Sequence, residues 1–197
     1  LNAHTLDPRQ DTELIPECVI KNIHKDFKGP ALDLGTGSGC IAIALLSEFK
    51  AMKVVGVDVS FEALSKAREN ATLNGVERRF FPLCSNWSDS LNGNFPLIVS
   101  NPPYIPTKDI ENLDPAVKNF DPIPALDGGK DGFQSLKKVI SSIKKHLSPD
   151  GTAFIEIGFE QYKEMERLIE ESGLPTPDVH HDTAGIPRVV EISYGDK

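Results

Sequence analysis

From about residue 31 to residue 193, short runs rich in β-forming residues alternate with longer stretches whose apolar residues recur at helical spacing. Strands separated by amphipathic helices do not pair as hairpins. They assemble as βα units on a mostly parallel sheet with helices on both faces. The expected strands are residues 31–34, 53–58, 79–83, 97–100, 152–157, 178–181 and 188–193. The last two, joined by a short turn, read as a hairpin closing one edge of the sheet. The expected helices begin near Thr12, at Cys40, after Ser60, near Gly132 and near Glu160. Asp11 or Thr12 is a candidate cap for the first, with Pro16 in or near its first turn and Leu14, Ile15, Cys18, Val19 and Ile23 on its buried side. Ser60 can cap the third, and Asn74-Gly75 is a favoured terminator. Between strand four and the next helix lies a proline- and glycine-rich segment, residues 101–129. A connection of that length in a compact domain has work to do.

At 197 residues the chain fits one α/β domain, divided as a linker and first helix over residues 1–29 and the main domain over 30–197. The net charge of −8, from 21 basic and 29 acidic residues, argues against broad adhesion to a phosphate backbone, so no stable nucleic-acid binding is expected. No apolar run approaches the ~18 residues of a membrane span. Cys18, Cys40 and Cys84 are odd in number, widely spaced and set among apolar neighbours, which suits a reducing cytoplasm. No His/Cys cluster has metal-ligand spacing, and His180-His181 reads as a surface feature.

Asp33-Leu34-Gly35-Thr36-Gly37-Ser38-Gly39 follows the first strand, at the carboxyl end of the sheet where open α/β folds bind ligands. Glycines at alternate positions let the backbone approach a ligand closely. A dinucleotide fingerprint would place its third glycine at position 40, where Cys40 stands, and a Walker lysine is missing. A ligand without phosphate, with a cationic sulfonium and an amino-acid tail, fits this spacing better. Asp33 is expected to orient the turn and the ligand's amino group. Asp58, 19 positions after Gly39, ends the second strand, where a carboxylate can accept both hydroxyls of a ribose. After the third strand, Asn86 can bond an adenine's exocyclic amine and Trp87 can stack on its ring.

Asn101-Pro102-Pro103-Tyr104 leaves strand four. Each proline holds the residue before it in extended geometry, and neither has an amide hydrogen. The Asn101 side chain and the Pro102 carbonyl are therefore preorganised acceptors. A planar amide or amino nitrogen is a weak nucleophile because its lone pair is delocalised. Two acceptors gripping its hydrogens position it and favour pyramidalisation as positive charge develops. Tyr104 is expected to offer a flat face to the acceptor group.

With those residues in place, the chain resembles the protein-glutamine methyltransferases that modify peptide chain release factors at the glutamine of a Gly-Gly-Gln motif. The resemblance runs from Pro8-Arg9-Gln10-Asp11-Thr12-Glu13 through the glycine turn and Asn101-Pro102-Pro103-Tyr104 to Ala125-Leu126-Asp127-Gly128-Gly129-Lys130-Asp131-Gly132. It implies a seven-stranded, Rossmann-like class I methyltransferase sheet that uses S-adenosyl-L-methionine. It also implies that Gly35 to Gly39, Asp58, Trp87 and Asn101 contact the cofactor, and that Asn101 to Tyr104 hold the substrate glutamine. The family usually has an acid where Asn86 stands, and usually carries a small helical domain upstream of the point matched by Leu1. Nucleic-acid adenine amino-methyltransferases share an Asn/Asp-Pro-Pro-aromatic segment for the same physical reason and are the alternative. The acidity of the chain and the lack of a basic, aromatic-studded face weigh against them.

Overall fold

A computed structural model describes residue 5 and residues 13–118 and 121–194. Seven strands, β1 (Pro30–Leu34), β2 (Lys53–Asp58), β3 (Phe80–Cys84), β4 (Phe95–Ser100), β5 (Leu147–Glu156), β6 (Asp178–His181) and β7 (Pro187–Ser193), form one sheet in the order β3-β2-β1-β4-β5-β7-β6. β1 to β5 are paired in parallel, and β7 runs antiparallel to both β5 and β6. The chain therefore steps outward from β1 in both directions, leaving a crevice at the carboxyl ends of β1 and β4. Pro82 sits in β3, an edge strand, where a missing donor is tolerated.

Seven α-helices accompany the sheet among the described residues: α1 (Leu14–Asn22), α2 (Cys40–Glu48), α3 (Phe61–Leu73), α4 (Pro115–Lys118), α5 (Ile123–Leu126), α6 (Gln134–His146) and α7 (Tyr162–Glu171). The two-residue alternation of the strands sends Ala31, Leu97 and Phe154 to the face covered by α1, α2 and α3, and Leu32, Ile98 and Ile155 to the face covered by α6 and α7. Each of the larger side chains, Leu, Ile or Phe, contributes roughly 1.5–3 kcal/mol when fully buried. α1 belongs to the first of these cores, with Ile15 and Val19 fully buried. α3 begins at Ser60, whose hydroxyl accepts from Ala63 N at 3.1 Å, and ends before Gly75 in the left-handed region at φ +68°.

The expected helix start at Asp11 or Thr12 lies outside the described residues. Pro16 falls in the first turn of α1 as anticipated. β5 begins earlier than the sequence suggests. Phe95 pairs with Leu147 and Leu97 with Thr152, so the Pro149-Asp150-Gly151 turn is a bulge inside a longer strand. The 101–129 segment is not structureless: it holds a 3-10 turn at Thr107–Asn112 as well as α4 and α5.

Candidate active site

The glycine turn links β1 to α2. Gly35 N and Thr36 N both donate to Val57 O at 2.9 Å, binding the turn to the end of β2. Gly35 and Gly37 have φ of +73° and +54°. A Cβ on Gly37 would meet nothing closer than Gly35 O at 4.0 Å, and one on Gly35 nothing closer than Trp87 at 3.8 Å. Side chains there would clash with nothing but would project toward the cavity that both glycines line, taking up room a ligand needs. Gly39 has a different task. Its missing Cβ would lie 3.1 Å from Ala67 Cβ, so it brings α3 against the start of α2. From α3, Asn70 Nδ2 donates to Ser38 O at 2.9 Å and pins the turn from behind, a contact with no local sequence signal.

Asp33 lies behind the turn, fully buried, and accepts from Thr36 Oγ1 at 2.6 Å. Burial pushes its carboxyl up to about 7, with the Asp58 charge adding to the rise and the Thr36 hydroxyl and Ala42 backbone amide opposing it. Asp33 orients the turn, but it does not line the cavity in front of it. Asp58 does. Its Oδ2 accepts from Gly37 N and its Oδ1 from Ser60 N, each at 2.9 Å, which fixes the carboxylate across the turn. Each oxygen keeps a further lone pair for a ligand hydroxyl.

Asn86 and Trp87 stand on the far wall of the same cavity, which encloses about 280 Å³. Asn86 Nδ2 donates to Asp89 Oδ2 at 2.9 Å, so its carbonyl oxygen is the atom left for an amine donor. Trp87 is half-buried, packs on the α6/α7 core and lies beside Gly35. It serves as wall and core residue together. Its φ of +49° is unusual for a bulky residue, at a cost on the order of 1–3 kcal/mol, and such strain is found where a site demands a side chain's direction. Cys40 also lines the cavity, and burial pushes its thiol up to about 11, keeping it protonated and weakly nucleophilic.

Asn101 and Pro103 reach the cavity, whereas Pro102 is buried and Tyr104 turns away. Successive residues of an extended segment face opposite sides, so four consecutive residues cannot all face one ligand. Tyr104 therefore does not present its ring to the cavity. It packs on the α6/α7 core and its hydroxyl donates to Glu156 Oε1 at 3.0 Å. The segment beyond Tyr104 loops out and returns beside it: Ile105 N donates to Leu126 O at 3.0 Å, Gly128 N to Ile105 O at 2.8 Å and Thr107 N to Gly129 O at 3.0 Å. Asp127 Oδ1 secures the return by accepting from Thr107 Oγ1 and Gly129 N. This brings Pro122, Pro124 and Ala125 to the cavity wall, residues of the long segment that the sequence marks as functional without assigning any of the three a contact.

Two other readings change. His180 is not a plain surface residue, because its Nε2 lies 2.7 Å from the buried Glu191 carboxylate and its ring packs near Phe154. Cys84 is exposed at the end of β3 rather than packed among apolar neighbours, and all three cysteines are free. Among the described residues no group of three or more His, Cys, Asp or Glu is placed to hold a metal ion, and no helix is long and apolar enough to cross a membrane.

Residues 12–120 match the methyltransferase small domain family. The catalytic domain of hMettl16 in complex with the MAT2A 3'UTR hairpin 6 superimposes with a TM-score of 0.78 at 14% identity, covering 100% of this chain and 75% of that one. Fold and family match together make this protein an α/β methyltransferase. The chain is 40% identical over 194 residues to the release factor glutamine methyltransferase of Agrobacterium fabrum, covering 96% of this chain and 67% of that protein. It is 40% identical over 188 residues to that of Rhodospirillum rubrum, covering 95% of this chain and 58% of that protein. The chain belongs to the release factor glutamine methyltransferase family.

Proposed function

We propose that the chain transfers a methyl group from S-adenosyl-L-methionine to the side-chain amide nitrogen of the glutamine in the Gly-Gly-Gln motif of peptide chain release factors. One observation carries the reading. Asn101 and Pro103 open onto the same cavity as Gly35, Gly37 and Asp58, so a nucleoside cradle and an amide-gripping segment meet at one place. The two glycines, which line the cavity without side chains, leave room for a bulky ligand. Gly35 to Ser38 would hold its amino-acid end, Asp58 its ribose hydroxyls, and Asn86 and Trp87 its adenine.

When bound, that cofactor supplies an electrophilic methyl on a sulfonium. The chain's own residues prepare the acceptor. The Asn101 side-chain oxygen and the Pro102 carbonyl accept the two amide hydrogens and hold the nitrogen in line. Methyl transfer would place growing positive charge on the nitrogen, and both hydrogen bonds would strengthen with it. The extra proton then leaves to water. No strong base is needed, and the cavity wall near Asn101, with Pro103, Pro122, Pro124 and Ala125, suits a neutral acceptor.

Peptides ending the motif in glutamine, asparagine or glutamate test the amide requirement. Labelled methyl should enter the glutamine peptide, enter the shorter asparagine poorly, and not enter glutamate, which has no nitrogen to accept it. Equal labelling of glutamate would contradict the mechanism.

A further inference from the structure

The residues that turn away from the cavity raise a question that the function leaves open: what keeps Asn101 and Pro103 facing it? We infer that Gln161 and Glu156 are positioning residues, which clamp Tyr104 by its carbonyl and its hydroxyl and so fix the acceptor-holding segment. The role in catalysis rests on the proposed methyl transfer; the clamp itself does not.

Gln161 lies just before α7 and is almost fully buried. Its Nε2 donates to Tyr104 O at 3.0 Å and to Gly132 O at 3.4 Å, while its Oε1 accepts from Gly158 N at 2.8 Å. A buried amide satisfied at both ends has one usable orientation. That single side chain joins three separate pieces of chain: the end of the acceptor segment, the end of the returning loop and the turn after β5. Glu156, at the end of β5 and 2% exposed, holds the other end of the same tyrosine through its hydroxyl.

Glycines complete the clamp. A Cβ on Gly128 would lie 2.8 Å from Tyr104 Cα, one on Gly132 2.6 Å from Tyr104 O, and one on Gly158 3.0 Å from Tyr104 Cδ2. A side chain at 128 or 132 would force Tyr104 to shift, and one at 158 would press on Gln161 Oε1 at 2.9 Å as well as on the tyrosine ring. The glycine-rich run at 128–132 thus acts through packing on Tyr104, and the loop that brings Pro122, Pro124 and Ala125 to the cavity is fastened at the same point. A displacement of about 1 Å in a group that aligns a reacting atom can cost about 100-fold in rate.

The test uses Gln161→Met, which keeps volume without hydrogen bonds, Glu156→Leu, which loses the acceptor, and Glu156→Gln, which keeps it. Against a release factor, Gln161→Met and Glu156→Leu should lower kcat about ten- to a hundredfold, with the Kd for S-adenosylmethionine unchanged. Glu156→Gln should retain most of the rate, and the losses from Glu156→Leu and Tyr104→Phe should not add. Hydrogen exchange gives a readout independent of substrate. In Gln161→Met the amides of Ile105, Thr107 and Gly128 should exchange faster while those of Gly35 and Thr36 stay protected. Unchanged exchange, or cofactor affinity falling in step with kcat in every variant, would overturn the clamp. A parent chain that leaves release factors unmethylated while the exchange pattern changes as described would refute the substrate assignment and sustain the clamp. Should Gln161→Met fail to fold, the Glu156 pair and its coupling to Tyr104 decide the matter.

Discussion

Replacing Asp58 with alanine removes one carboxylate that does two things. It accepts from Gly37 N and Ser60 N at 2.9 Å each, and its remaining lone pairs face the cavity where a ribose would lie. Hydrogen bonds to a charged group contribute roughly 1.5–3 kcal/mol net, so loss of the ribose contacts should weaken cofactor binding about tenfold to somewhat over a hundredfold. The two freed backbone amides border a cavity that water can enter, which should limit the loss of folding stability to about 1 kcal/mol. Asn at this position has one acceptor for two donors and should fall between parent and alanine variant. Calorimetry with S-adenosylhomocysteine and its 2′-deoxy analogue separates the two roles. The parent should discriminate against the deoxy analogue, and Asp58→Ala should bind both alike. A parent indifferent to the missing hydroxyl, or an alanine variant with parental affinity, would refute the reasoning.

Asn101→Ala should lower single-turnover methyl transfer by about 10²–10³ at saturating substrate, since its oxygen acts as charge develops; normal turnover would remove it from the mechanism. Gly37→Ala should weaken cofactor binding with little loss of fold, because the new Cβ enters the open cavity, at a backbone cost on the order of 1–2 kcal/mol in the left-handed region; parallel calorimetry and urea unfolding check it. For Asp33 the folded value of about 7 lies above the ordinary carboxylate value. Its stabilising contribution is therefore full below about pH 4 and is lost as pH rises toward about 7. Relative to Asp33→Asn, the parent should lose on the order of a few kcal/mol across that window and nothing further above it, read by urea unfolding without cofactor. Parallel profiles for parent and variant would contradict the burial argument.

Local signals made the frame legible in the sequence. The Ser60 cap, the Asn74-Gly75 stop and the glycine turn are written in neighbouring residues, and each stands where its chemistry predicts. Asp58 was legible because the end of a strand fixes where a side chain points. The remaining features depend on contacts between residues distant in sequence, which local patterns do not encode. The facing of Tyr104 follows from two-residue alternation, but its partner Glu156 lies 52 positions away and Gln161 lies 57 away. The same holds for Asn70 reaching Ser38, 32 positions back, and for His180 meeting Glu191 across a strand pair. Asp33 stands in the turn where the sequence puts it, but its carboxyl is fully buried against Thr36 and does not line the cavity. The closure of the long loop could not be read from its prolines and glycines alone, because Asp127 and Gln161 secure it from different parts of the chain.

The proposed function turns on the identity of the atom that receives the methyl group. The chain should be incubated with methyl-labelled S-adenosylmethionine in the presence of release factor, ribosomal RNA and DNA together, and the labelled product mapped by fragmentation mass spectrometry. The proposed function predicts label in the release factor, one methyl group on the side-chain nitrogen of the Gly-Gly-Gln glutamine, entering about 10²–10³ times more slowly with Asn101→Ala. Label on adenine in either nucleic acid, with the release factor unmodified, would contradict it.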